Sequence, residues 1–154
     1  MKIQKSIFFS ILFYFGFVFL LVQNVKAQNP IIHADVPDLS MIRVGDTYYM
    51  SSTTMHMNPG VPIMKSTDLV HWETIGYVYD LLSDHDALLL HHDNAYGRGS
   101  WASSLQYHNN RFYLVTFSYT TNETYLFQSD DPASGSWDRF TLDALYHDPS
   151  LFFD

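Results

Sequence analysis

Asp38 and Asp148 are the residues whose surroundings best suit chemistry. Asp38 stands in Val36-Pro37-Asp38-Leu39-Ser40-Met41-Ile42, and Asp148 in His147-Asp148-Pro149-Ser150-Leu151-Phe152. Each carboxylate comes just ahead of a strand-like run, and each adjoins a proline. Two carboxylates at equivalent points of a repeated unit can converge on one site, and convergent carboxylates are what general acid–base work requires. An Asp ahead of a strand is also an ordinary turn former. Asp46, Asp68, Asp130 and Asp131 are read that way. For Asp38 and Asp148 the residues alone leave both readings open.

The elements that must position them are short strands. Ser40 to Val44, Gly45-Asp46 and Thr47 to Ser52 give a hairpin signal: β-branched and aromatic residues around a two-residue turn. Ser104 to His108, Asn109-Asn110 and Arg111 to Phe117 repeat the form, gap-free, 64 residues later. Val61 to Lys65 and Thr124 to Gln128 read as third strands. Turns ending in Trp72-Glu73 and Trp137-Asp138 open fourth strands near Thr74 to Tyr77 and Arg139 to Leu142. Ser150 to Phe153 begins a third unit. The only segment that could be helical is Asp80 to Leu90.

Four antiparallel strands per repeated unit are the signature of a β-propeller blade. A β-sandwich shares the short strands but not the unit-to-unit match. The expected class is all-β, with two blades and the first strand of a third. In the repeat, Asp38 falls on Ala102 and on Asp148, each ahead of an innermost strand. Two blades and a strand cannot close a ring, so the expectation is the N-terminal part of a longer propeller, prone to aggregate through its open faces.

Residues 1–27 read as a signal peptide, with Lys2 and Lys5, the apolar run Ile7 to Val22, and Val25-Lys26-Ala27 ahead of a cleavage before Gln28. The apolar run is short for a membrane span. Residues 28–154 then form the domain, exported to the periplasm or beyond. Cleavage leaves five basic residues against sixteen acidic ones, a formal balance of −11 with His neutral. That excludes binding to nucleic acid or an anionic membrane through a general field and favours a neutral ligand. With no Cys the domain relies on a buried core; of the chain's eleven Tyr, twelve Phe and three Trp, ten Tyr, six Phe and all three Trp lie in residues 28–154 and are available for it. The His-rich stretch Asp84 to Asp93 lacks zinc-type spacing and reads as a solvated inter-blade loop able to reach over a site. Trp72 and Trp137 repeat at outer strands and read as blade packing. Asn122-Glu123-Thr124 is a formal glycosylation sequon, expected to go unused behind a bacterial-style signal.

Pro37 to Met50 resembles the opening motif of family 43 glycoside hydrolases, and Asn58 to Trp72 continues it. Gly99-Ser100-Trp101-Ala102-Ser103-Ser104-Leu105 and Asp148-Pro149-Ser150-Leu151-Phe152 are further landmarks, and Tyr96-Gly97-Arg98-Gly99 resembles the loop ahead of them in xylosidase and arabinofuranosidase members. The matches run in family order from Asn29 to Asp154.

The resemblance implies a five-bladed propeller with the site at its axis and hydrolysis that inverts the anomeric centre. It assigns the general base to Asp38, and to Asp148 the role of raising the pKa of the general acid and orienting it. That acid is a Glu of a later blade. The sequence has only Glu73 and Glu123, both in outer-strand contexts, so the chain alone is expected to be inactive. Trp101 is expected to stack on the innermost sugar. Met55 and His56 fall where relatives hold aromatic subsite residues, and here the stretch reads Met-His-Met. The expected substrates are xylan, arabinan or arabinoxylan chains. No cofactor and no metal is called for. The alternative is a non-catalytic sugar-binding or interaction propeller.

Overall fold

The computed structural model describes residues 29–154; the expected signal peptide lies outside the described residues. Eight strands are present: β1 Ser40–Val44, β2 Thr47–Ser51, β3 Gly60–Ser66, β4 Glu73–Tyr79, β5 Ser104–His108, β6 Arg111–Ser118, β7 Glu123–Ser129 and β8 Asp138–Thr141. They form two four-stranded antiparallel sheets, ordered β1-β2-β3-β4 and β5-β6-β7-β8. These are two consecutive propeller blades, and a partial propeller is what the chain supplies. Residues Ile31–Asp154 form one compact unit.

Local chemistry sets the hairpins. Gly45 takes φ 60° in the β1–β2 turn, while Asn109 and Asn110 take φ 48° and 60° in the β5–β6 turn. Glycine does this freely and asparagine tolerates it, so both strand pairs can keep their twist. The β3–β4 and β7–β8 turns also repeat. The Ser66 hydroxyl accepts the Asp68 and Leu69 N–H groups, and the Ser129 hydroxyl accepts that of Asp131. Asp68 Oδ1 then caps the Val70 and His71 N–H groups, and Asp131 Oδ1 that of Ala133, so both carboxylates are turn formers. The His71 ring, 2.7 Å from Asp68, and these N–H groups hold the Asp68 carboxyl well below the usual range.

The core lies between the blades. Val61, Ile63, Val78 and Tyr79 of the first meet Leu105, Phe112, Leu114, Tyr125 and Phe127 of the second. Tyr49 stands edge-on to Phe112 with centroids 5.0 Å apart, and Tyr79 stacks near Phe127 at 5.9 Å. Trp137 packs against this core from its edge, as expected of a blade-packing residue; Trp72 is half-buried beside a surface groove.

Two expectations need correction. The stretch Asp84 to Asp93 is not simply a solvated loop. It holds a single helical turn, α1 Asp86–Leu89, capped by the His85 imidazole accepting the Ala87 N–H at 3.1 Å. Its Ala87 and Leu88, with Leu82 and Ala95, plug the inter-blade core, while His91, His92 and Asp93 stay exposed. Residues 80–85, also considered for helix, are not helical. Nor do residues 150–154 form a strand, because among the described residues they have no ladder partner. They dock instead: the Leu151 N–H donates to Ser104 Oγ, and Phe153 stacks on His108 at 4.5 Å.

Candidate functional site

The entries to β1 and β5 are built alike, and residues 148–151 share part of the pattern. The Ser52 hydroxyl donates to the Pro37 carbonyl at 2.8 Å, and 64 residues on, the Thr116 hydroxyl donates to the Trp101 carbonyl at 2.8 Å. Thr53 N–H also reaches the Pro37 carbonyl, and Trp101 N–H reaches that of Phe117. Between units, Leu105 N–H donates to Ser40 Oγ at 3.0 Å, and Leu151 N–H donates to Ser104 Oγ at 3.2 Å. Ser40, Ser104 and Ser150 are therefore equivalent, as are Asp38, Ala102 and Asp148.

The two aspartates share a rarer property. Asp38 has φ 48° and Asp148 has φ 47°, both left-handed. Non-glycine residues adopt this region sparingly, and it concentrates where a side chain must be aimed. Both carboxylates face solvent. His147 Nδ1 lies 3.2 Å from Asp148 Oδ1.

Trp101 packs next to His147, the residue before Asp148. Its indole N–H donates to the Gly97 carbonyl at 3.1 Å. Its ring meets Tyr119 edge-on at 5.1 Å and His147 at 6.0 Å, with Phe117 at 5.8 Å behind. It is half-buried, so it both packs and presents surface. His147 occupies the place of Pro37 and Trp101 in the repeat. That register was the available signal for His147, and the same 64-residue offset sets Tyr119, just past the end of β6, on Met55.

The segment Ala95 to Trp101 is threaded between the blades. Ser100 bridges to Thr54 on one side and Ser118 on the other. The Arg98 and Gly99 N–H groups both donate to the Met55 carbonyl, at 3.1 and 2.9 Å. The Arg98 carbonyl accepts from Ser118 Oγ, Thr120 Oγ1 and Thr120 N–H. A Cβ on Gly99 would lie 2.5 Å from the Thr54 carbonyl oxygen, so only glycine allows this approach. Met55, half-buried, thus contributes its backbone to the loop; His56 is exposed and stacks on Tyr96.

Neither glutamate is with the inner-strand aspartates. Glu73 pairs with Lys65 at 3.4 Å on the first blade's outer strands. Glu123 opens β7 and accepts the Tyr125 hydroxyl at 2.5 Å; burial first, and this bond second, push that phenol up to about 12. Among the described residues no group of three or more His, Asp or Glu side chains could hold a metal ion, and no helix is long and apolar enough to cross a membrane. A groove of about 380 Å³ beside Trp72, Lys65 and Glu73 includes neither aspartate.

A family model described as glycosyl hydrolases family 43 matches residues 27–154. A β-xylosidase of Formosa agariphila is 34% identical over 130 residues, covering 82% of this chain and 22% of that protein. A non-reducing end α-L-arabinofuranosidase of Bacteroides ovatus is 36% identical over 130 residues, covering 82% and 24%. Among solved structures, a bifunctional GH43-CE protein of Bacteroides eggerthii is 55% identical with a TM-score of 0.77, covering 83% of this chain and 18% of that one. The chain thus spans about a fifth to a quarter of the length of these relatives.

Proposed function

The chain belongs to glycosyl hydrolase family 43, and on that premise we propose that it carries the water-activating half of an inverting pentosidase site. The substrates are xylan- or arabinan-type chains of plant cell walls, and the protein acts outside the cytoplasm. The observation that supports this most is the matched pair Asp38 and Asp148, set at equivalent inner-strand entries with the same left-handed backbone.

Inverting hydrolysis needs a base that deprotonates a water on one face of the sugar and an acid that protonates the leaving oxygen on the other. The two carboxyl groups stand about 6.5–9.5 Å apart to admit that water. Asp38, exposed and without a cation partner among the described residues, is the base. Asp148 serves the acid: an anion beside a carboxyl group disfavours its ionisation and keeps it able to donate. The acid itself is supplied by residues other than these, since Glu73 and Glu123 are engaged elsewhere. Trp101 offers its exposed surface to the sugar held between the carboxylates, and Met55 and His56 border that position.

A chimera tests this. Residues 29–154 of this chain replace the matching stretch of the Bacteroides eggerthii protein, and aryl β-xyloside and aryl α-arabinofuranoside are supplied. The expected result is hydrolysis of at least one, with the product's first-formed anomer inverted by proton NMR. Hydrolysis with retention, or a folded chimera that cleaves neither, would contradict the proposal.

A further inference from the structure

Tyr96 is 78% exposed, yet its ring is not loose. It lies flat on His56, centroids 4.7 Å apart and planes within 5°. The His56 ring is fixed in turn, because its Nδ1 accepts the Gly97 N–H at 3.2 Å. The loop under both is tied to both blades through Met55, Arg98, Gly99 and Ser100. One aromatic face is thus spent on His56 and the other is offered to solvent.

The platform adjoins the site. The Gly97 carbonyl, next in sequence to Tyr96, holds the Trp101 indole. The chain neighbours of Tyr96 are polar: Asn94 Oδ1 accepts the Tyr96 N–H at 3.3 Å, and Asn94 and Arg98 are both exposed, Arg98 with no acid partner among the described residues. A rigid exposed aromatic face flanked in the chain by an amide and a guanidinium suits a sugar ring, with apolar C–H surface and peripheral hydroxyls, better than a purely apolar ligand.

We propose that Tyr96, backed by His56, is the stacking platform for a second pentose unit, next along the chain from the one at Trp101. This rests on the pentosidase reading above. The pair would make recognition depend on chain length: a single pentose reaches Trp101, and only an oligosaccharide also reaches Tyr96. Preorganisation is the advantage, since neither ring must be ordered when sugar arrives.

The test is equilibrium binding to the 154-residue chain, followed by NMR titration. Xylose and xylotriose are the probes in one arm, arabinose and arabinotriose in the other. For whichever trisaccharide binds, Tyr96→Ala is expected to weaken it about three- to tenfold, the range of one aromatic contact. Tyr96→Phe should bind like the wild type, His56→Ala should lose part of the trisaccharide affinity, and the matching monosaccharide should be unaffected by both Tyr96 variants. Because Tyr96 is exposed, an unchanged amide spectrum away from the loop verifies the fold of each variant. Wild-type binding of a trisaccharide with Tyr96→Ala equal to it, or equal losses for mono- and trisaccharide, overturns the platform alone. Failure of the wild type to bind any of the four sugars overturns the pentosidase reading and the platform with it.

Discussion

At Asp38 the backbone and the side chain answer to different demands. The left-handed region costs an ordinary L-residue about 1–2 kcal/mol, less for Asp and Asn, whose short polar side chains bond locally. Asn tolerates φ 48° as Asp does, so Asp148→Asn and Asp38→Asn should leave unfolding free energy within about 0.5 kcal/mol of wild type. Chemistry should move instead. In the chimera, the proposed role of Asp148 predicts that Asp148→Asn lowers the pKa of the acid and shifts the alkaline limb of the pH–rate profile to lower pH; an unmoved limb would deny Asp148 that role. The pairing of the two aspartates was legible because the repeat superposes them on Ala102. Their shared φ was not, since nothing in residue type forces it. Tyr96 escaped notice as a candidate because stacking on His56, forty residues away, is a product of loop threading.

The inner-strand entries and the threaded loop are where elements aim the site. Gly99→Ala would place a methyl 2.5 Å from the Thr54 carbonyl oxygen. It should cost about 1–3 kcal/mol in urea unfolding, the range for overpacking, and free Trp101 to move. Thr116→Val removes one hydroxyl bond to the Trp101 carbonyl and should cost about 1 kcal/mol. The second blade also carries an alkaline signature. Tyr125 has a folded pKa of about 12 against an ordinary 10, raised mainly by burial. A raised folded value means its contribution is fully present below pH 10 and lost as pH climbs to about 12. Unfolding midpoints should fall through that window, and Tyr125→Phe should flatten part of the fall. Strands were legible here because aromatic and β-branched runs between turn residues specify them, and Ser40–Val44 and Ser104–His108 fell where expected. The α1 turn was blurred, because one turn of helix is too short to show a period; its Ala87 and Leu88 are buried by the blades around them.

Across the whole molecule, the blade-to-blade step is written twice, as Ser40 to Leu105 and Ser104 to Leu151. The first step was legible as the 64-residue repeat, and the second as the return of Asp-x-Ser before Leu151. The face beyond the second blade exposes Phe152 at 87% and Tyr146 at 46%. Apolar patches of this kind promote association, so sedimentation of the 154-residue chain should show mass rising with concentration. The same chain should turn over aryl pentosides at least about 10²-fold more slowly than the chimera, for want of a placed proton donor. The grooves that Trp72 lines include neither Asp38 nor Asp148, so Trp72→Ala should leave the chimera's rate unchanged. The decisive quantity is the rate of the Asp38→Asn chimera on an aryl pentoside that the unmutated chimera cleaves. It should fall about 10²–10⁴-fold while trisaccharide affinity holds; a folded Asp38→Asn chimera as fast as its parent would show that Asp38 is a turn former and not the base.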